Sequence, residues 1–286
     1  GRERERRAFC AHENPRKLQQ QQKKNSGQTL VVSGDGRYYS KTAIDLIVRM
    51  AAANGVSRVW VGVGGLMSTP AVSAVVRGRD RGAAAGAFIL TASHNPGGPT
   101  EDFGIKYNCD NGGPAPESLT DAIYERTKTI DRYFISDKES FGEIDLSKTS
   151  NHDVYCDLPE EIGGPGGHGG FKLQVIDPVE DYLKLLKTIY DFGEEVFLPF
   201  FWRKRERESG RKKERKTHSE KKKKLRKKIK TGALKALLAR PDFSFLFDGM
   251  HGVAGPYAHA VFVDELGADA AKSLVNCDPK EDFGGG

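Results

Sequence analysis

The stretch "SRVWVGVGGLMSTPAVSAVVRGRDRGAAAGAFILTAS", Ser57–Ser93, decides the fold. It opens on "SRVWVGVGG", a β-branched apolar run closed by glycines, which reads as a strand and turn. "TPAVSAVVRGRD" follows as a helix with Pro70 early in its first turn, where no intrahelical N–H is needed. "GAFILTAS" is the next strand, short and apolar enough to lie buried. Upstream, Thr29–Ser33 of "TLVVSGDGR" is a strand ended by a Gly-Asp-Gly turn. "KTAIDLIVRMAAANG" then sets Ile44, Ile47, Val48, Met50 and Ala51 near one helical face, with Asn54-Gly55 as the stop. Three strands alternating with two helices form a βαβαβ unit. The fold class is therefore α/β, with a mixed, mostly parallel sheet covered by helices.

Further along, "ESLTDAIYERTKTIDRYF" begins a second helix-rich region, and "GGPGGHGG" at residues 163–170 reads as a domain boundary. "DPVEDYLKLLKTIYDFG" is an amphipathic helix, and "FSFLFDGMHGVAGPYAHAVFVDELGA" reads as strand, glycine turn and helix. The expected organisation is a disordered, Gln-rich tail over residues 1–28, a first domain over 29–168, and a partial second domain over 169–286. A basic, disordered insert at 194–232 interrupts the second domain.

Charge is concentrated in that insert. Between Arg203 and Lys230 there are 17 Lys/Arg against 4 Asp/Glu, net +13, so the rest of this +6 chain carries −7. The pI near 9.0 thus describes a segment, and the remaining body is mildly acidic. Cys10, Cys109, Cys156 and Cys277 lie far apart without a C-x-x-C pair, which speaks against a zinc site or disulfide framework and fits a reducing compartment. No run of about 18 apolar residues is present to span a membrane. The chain starts at "GRERERRAFC", with no signal peptide legible there, and stops at "EDFGGG"; it reads as a fragment.

Several motifs fail on inspection. "VGVGGLM" places Gly62 and Gly64 as in G-x-G-x-x-G, but Met67 occupies the third glycine position. "DFG" occurs at Asp102, Asp191 and Asp282 without the glycine-rich loop, V-A-I-K or H-R-D of a kinase. Asp248 and His251 in "DGMHG" are two metal-ligand types on one glycine turn, a pattern that favours a structural role. Ser93-His94-Asn95-Pro96 alone reads as a turn. Its place just beyond a buried parallel strand, however, is where α/β sheets present their ligands. A hydroxyl there can carry a phosphoryl group if backbone N–H groups and a cation offset the charge, and Lys106, thirteen residues on, can supply that charge or shuttle a proton.

"TASHNPGG", followed by "DFGIKYN" and "NGGPAPE", resembles the phosphoserine loop of the alpha-D-phosphohexomutases, the phosphoglucomutase branch in particular. "LVVSGDGRYYS", "AAANGVSRVWVG", "GLMSTPAVS", "DPVEDYLKLLKTIYDF", "DGMHGVAGPYAHAVFVDELGA" and "NCDPKEDFGGG" extend the likeness in order over most of residues 29–193 and 232–286. The resemblance implies a phosphohexomutase α/β/α first domain, complete or nearly so, and a truncated second. It also implies a cytoplasmic monomer that interconverts glucose 1-phosphate and glucose 6-phosphate through a phosphoserine and glucose 1,6-bisphosphate. On the matching positions Ser93 is the phosphoryl carrier, His94 its active-site neighbour, Lys106 a general acid/base and Arg37 a phosphate-side cation. Mg²⁺ would meet Ser93 through its phosphate. The family's "GTSGLR" loop is not matched in residues 1–28, and its "DGDGDR" metal loop and sugar- and phosphate-binding loops are not in the sequence. The expectation is that this chain alone is inactive.

Two other functions are compatible with the sequence. A non-catalytic interaction protein, like the parafusin-type relatives of phosphoglucomutase, is the alternative. Nucleic-acid binding by the basic tract is the other, but no aromatic lies between Arg203 and Lys230, so no specific nucleic-acid recognition is expected. "TIYDFG" joins naturally to "ALKALLARPDF" once residues 194–232 are removed. Gly193-Glu-Glu-Val and Thr231-Gly232 can be encoded by codons resembling splice donor and acceptor sequences, so the segment reads as a retained intron translated in frame.

Overall fold

A computed structural model describes residues 27–157, 168–190, 192 and 232–285. The expected tail and basic insert lie outside these residues, apart from Gly27, Gln28 and Gly232. The described chain divides into two compact units, residues 1–178 with 281–286, and residues 179–280.

The first unit is built on a six-stranded sheet, β1 (Thr29–Gly34), β2 (Arg58–Gly62), β3 (Ala84–Leu90), β4 (Ile105–Cys109), β5 (Ser150–Asp157) and β6 (His168–Ile176), in the order β4-β3-β1-β2-β6-β5. The four central strands are parallel, and the outer two, β4 and β5, run antiparallel to their neighbours. β6 pairs in register with β2 from Arg58↔Lys172 to Gly62↔Ile176. The division between units therefore falls after Pro178, past the glycine-rich stretch: residues 168–176 complete the first sheet rather than open a second domain.

The connections place the helices. Helix α1 (Ser40–Ala53) links β1 to β2, and α2 (Thr69–Gly78) links β2 back across β1 to β3. The two crossovers run in opposite directions, so right-handed connections put the helices on opposite faces. Strand residues alternate accordingly. Val32, Val59, Val61, Leu90 and Leu173 form one core with Ala43, Ile44, Val48 and Ala52 of α1. Val31, Trp60, Ala87 and Ile89 alternate with them and are equally buried, as are Ala71, Val72, Val75 and Val76 of α2. Each fully buried Val, Leu or Ile among them contributes about 1.5–3 kcal/mol. Trp60 satisfies its indole N–H on Gln174 Oε1 at 2.6 Å, and the Arg58 guanidinium lies 4.6 Å from its ring centre.

Helix α1 ends as its sequence indicates. Gly55 takes φ 84°, its N–H bonds to Ala52 O, and Val56 N–H bonds to Ala51 O, the double bond of a Schellman turn. Where β1 passes β3, Gly34 allows the strands to close: a Cβ there would sit 2.1 Å from Leu90 O. Gly34→Ala is expected to lower the stability of this unit by about 1–3 kcal/mol, read as a lower urea midpoint.

Helix α3 (Glu117–Thr127) realises the second helical region, with a short α4 (Lys138–Phe141) before β5.

In the second unit, α5 (Glu180–Ile189) carries Tyr182 edge-on to Tyr257 and Lys187 paired with Glu265 at 2.7 Å. The expected strand, turn and helix are present as β7 (Phe247–Asp248), a glycine turn, and a helix that is α over Ala254–Ala258 and π over His259–Glu265. β7 pairs in parallel with β8 (Leu274–Val275), each strand only two residues long.

Candidate active site

β1 and β3 are neighbours whose connections leave in different directions, so the loops after them open at a switch point of the sheet. Residues 35–39 follow β1 and residues 91–104 follow β3. The longer loop is pinched at its base by Thr91 N–H on Gly104 O at 2.9 Å. Gly104 permits this approach, since a Cβ would lie 2.8 Å from Thr91 O.

Within the loop, Asn95 N–H closes a turn on Ala92 O, and Ser93 N–H bonds to Thr91 Oγ1 at 3.0 Å. These bonds hold Ser93 at φ 61°, a left-handed conformation that costs a residue with a Cβ about 1–2 kcal/mol. Both Ser93 and His94 are exposed on this turn. Lys106 arrives from β4. Because β4 runs antiparallel to β3, with Leu90 opposite Ile105 and Ile89 opposite Lys106, the thirteen-residue separation folds back on itself. Lys106 Nζ donates to Ser93 Oγ at 2.6 Å. The hydroxyl and the lysine nitrogen are thus in direct contact.

Arg37 is not where the resemblance puts it. Its side chain is buried, 1% exposed, beneath the loop. Nε and one terminal nitrogen hold the Asp35 carboxylate, at 3.1 and 2.9 Å. The other terminal nitrogen donates to Asp102 O at 2.6 Å and Pro96 O at 3.2 Å. Ser93 O and Asn95 O complete the shell at 3.4 Å each. A guanidinium has five N–H donors, and here carbonyls and one carboxylate engage them all. Arg37 is therefore a clamp on the serine loop rather than a phosphate-side cation. Asn95 Nδ2 reinforces it by bonding to Asp102 Oδ2 at 2.8 Å.

The structure brings Ser93 and Lys106 together, leaves His94 beside them on the exposed turn, and moves Arg37 underneath. Asp35 and Thr91 were missed as contributors. "GDGR" carries a signal for the first, an acid two residues before a base on a glycine turn, and a Thr two residues before the serine carries one for the second.

The Asp248 and His251 side chains bond within the second unit. Asp248 Oδ1 accepts Met250 N–H and Asn276 Nδ2, and these bonds hold its carboxyl below the ordinary 3.8. The His251 ring bonds through Nδ1 to Asp278 O at 2.9 Å. Among the described residues, no three His, Cys, Asp or Glu side chains come together to hold a metal ion, and no helix is long and apolar enough to cross a membrane.

Residues 16–134 match the family "Phosphoglucomutase/phosphomannomutase, alpha/beta/alpha domain I". A probable cytoplasmic phosphoglucomutase of Arabidopsis thaliana is 50% identical over 266 residues, covering 92% of this chain and 37% of that protein. The cytoplasmic phosphoglucomutase of Bromus inermis is 51% identical over 263 residues, 91% of this chain and 36% of that protein. The crystal structure of the Paramecium exocytosis-sensitive phosphoprotein parafusin, a phosphoglucomutase in its open form, superimposes with a TM-score of 0.71 at 37% identity, over 94% of this chain and 40% of that one. A phosphomannomutase structure from Thermus thermophilus, at 19% identity and TM-score 0.51 over 95% of this chain and 42% of that one, shares the fold. The chain spans little more than a third of the length of the curated relatives it matches. Residues 16–134 thus match domain I of that family, and the chain as a whole is similar to an N-terminal part of the phosphoglucomutases.

Proposed function

We propose that this chain carries the phosphoryl-accepting serine of a phosphoglucomutase. Ser93 takes a phosphoryl group from glucose 1,6-bisphosphate and returns it to glucose 1-phosphate or glucose 6-phosphate. The observation that carries this reading is the 2.6 Å contact between Lys106 Nζ and Ser93 Oγ on an exposed, strained turn at the switch point of the sheet. The naming of the plant relatives as cytoplasmic phosphoglucomutases supports the glucose phosphates as substrates and the cytoplasm as the location.

The steps follow from the contact. Ser93 Oγ attacks a phosphorus of the bisphosphate, the P–O bond to the sugar breaks, the freed sugar oxygen takes a proton from water, and the sugar leaves as its monophosphate. Lys106, as the amine, takes the hydroxyl proton. When the phosphoryl group departs, Lys106 as the ammonium returns a proton to Oγ. Between those events the phosphoserine carries a charge of about −1.5 to −2, and the same ammonium is its nearest counter-charge. His94, next to the serine and exposed, faces whatever approaches it. The described side chains do not by themselves make a site for the Mg²⁺ the family implies, so the phosphate on Ser93 is the one ligand this part of the chain offers.

Incubation with glucose 1,6-bisphosphate and Mg²⁺ is expected to place one phosphate on Ser93, seen by peptide mass, without net conversion of glucose 1-phosphate. Absence of phosphate from Ser93 would refute the reading. Lys106→Met is expected to slow phosphate uptake about a hundred-fold or more. Its stability should stay within about 0.5 kcal/mol of wild type, because the side chain is exposed.

A further inference from the structure

Residues 281–285 follow the whole of the second unit in sequence yet belong to the first. They lie against the serine loop and the turn after β1. Tyr38 N–H donates to Glu281 O at 2.8 Å, and Lys41 Nζ pairs with the Glu281 carboxylate at 3.2 Å. The Phe283 ring stands 5.3 Å from the Arg37 guanidinium carbon. On the loop itself, a Cβ at Gly97 would meet Glu281 O at 2.8 Å and the Phe283 ring at 2.9 Å. Phe283 adopts φ 53°, so its backbone is held in a left-handed conformation where it docks.

Arg37 is therefore bounded on one side by the loop carbonyls and on another by an aromatic ring from some 246 residues away in sequence. We propose that residues 281–285 are a strap over the serine loop, and that Phe283 is a positioning residue for Ser93, acting through Arg37. The inference rests on the phosphoryl-carrier reading for its consequence, although not for its geometry. The physical chain is short. The ring face attracts the guanidinium and excludes water from it, which strengthens its bonds to Ser93 O, Asn95 O, Pro96 O and Asp102 O. Those bonds keep the turn closed and Ser93 Oγ against Lys106. Removing the ring admits water to Arg37 and lets the carbonyls exchange partners. The serine then samples conformations in which Oγ does not face Lys106.

The test uses amide hydrogen exchange of the full chain as a readout independent of activity, with phosphate uptake from glucose 1,6-bisphosphate as the second. Phe283→Ala is expected to raise exchange over residues 92–104 about ten-fold, the size of a desolvated cation–ring contact, and to leave β2 and β6 unchanged. Phosphate uptake on Ser93 should fall by a similar factor. Phe283→Tyr keeps the ring face and should restore both to within about two-fold of wild type. Should Phe283→Ala raise exchange throughout the sheet, Gly97→Ala decides, because its methyl group displaces the strap from the loop side. Wild-type exchange over 92–104 in both variants, or loss of uptake that Phe283→Tyr does not restore, overturns the proposal. If wild type itself takes up no phosphate, the carrier reading fails, and the exchange arm still decides whether the strap exists.

Discussion

Ser93→Ala is expected to abolish phosphate incorporation from glucose 1,6-bisphosphate, with a residual rate lower by at least about a thousand-fold. The reason is chemical. No other hydroxyl is described in hydrogen-bond contact with Lys106, and a methyl group cannot hold a phosphoryl intermediate. The substitution also separates chemistry from strain. Ser93 sits at φ 61°, which penalises any residue with a Cβ and does not penalise glycine. Ser93→Gly should therefore be as dead as Ser93→Ala and yet more stable than it by about 1 kcal/mol, measured by urea unfolding. Equal stability of the two variants would mean that the turn relaxes in solution. Phosphate uptake by either would move the carrier to another residue.

Arg37→Met is expected to produce the largest loss of stability, about 3–5 kcal/mol, together with faster hydrogen exchange over residues 92–104. The charge it removes is 1% exposed and the Asp35 carboxylate left behind is 12% exposed, so water cannot readily replace the lost partner. Four loop carbonyls lose a donor in the same step. Such a loss is a large fraction of the roughly 5–15 kcal/mol that holds a typical domain together. Arg37→Lys should recover only part, because one ammonium can meet Asp35 but cannot also span carbonyls at residues 96 and 102. The cycle with Asp35→Asn makes the mechanism testable. The double variant Asp35→Asn/Arg37→Met should be less destabilised than the sum of the two single variants, since each single variant leaves a buried charge alone and the double variant leaves none. Additivity within about 0.5 kcal/mol would show that the pair is not coupled.

Much of the fold was legible because its signals are local. Alternation and run length mark β1, β2 and β3, and Asn54-Gly55 marks the end of α1 through a turn that glycine alone adopts without strain. Pro70 and Gly78 bracket α2. The sheet's outer members were less legible. β6 begins in "GGHGGF", glycines that read as a break, and what makes it a strand is an in-register partner, β2, more than a hundred residues earlier. The division between the two units after Pro178 follows from the same pairing. A strand's existence depends on its neighbour, and the neighbour is not written beside it.

At the candidate site the division is similar. The amino-acid sequence by itself determined that a serine follows a buried parallel strand in a turn-forming tetrapeptide, and that a lysine lies thirteen residues on. The collinear likeness around them pointed to the phosphoglucomutases. Only the tertiary structure decided what each cation does. Antiparallel pairing of β4 on β3 brings Lys106 to the serine hydroxyl, while closure of the turn after β1 buries Arg37 under the same loop. Both are long, flexible cations near the same motif, and composition does not distinguish them. Burial does: a guanidinium surrounded by carbonyls and a carboxylate has no donor left for a phosphate, and an exposed ammonium beside a hydroxyl keeps its own.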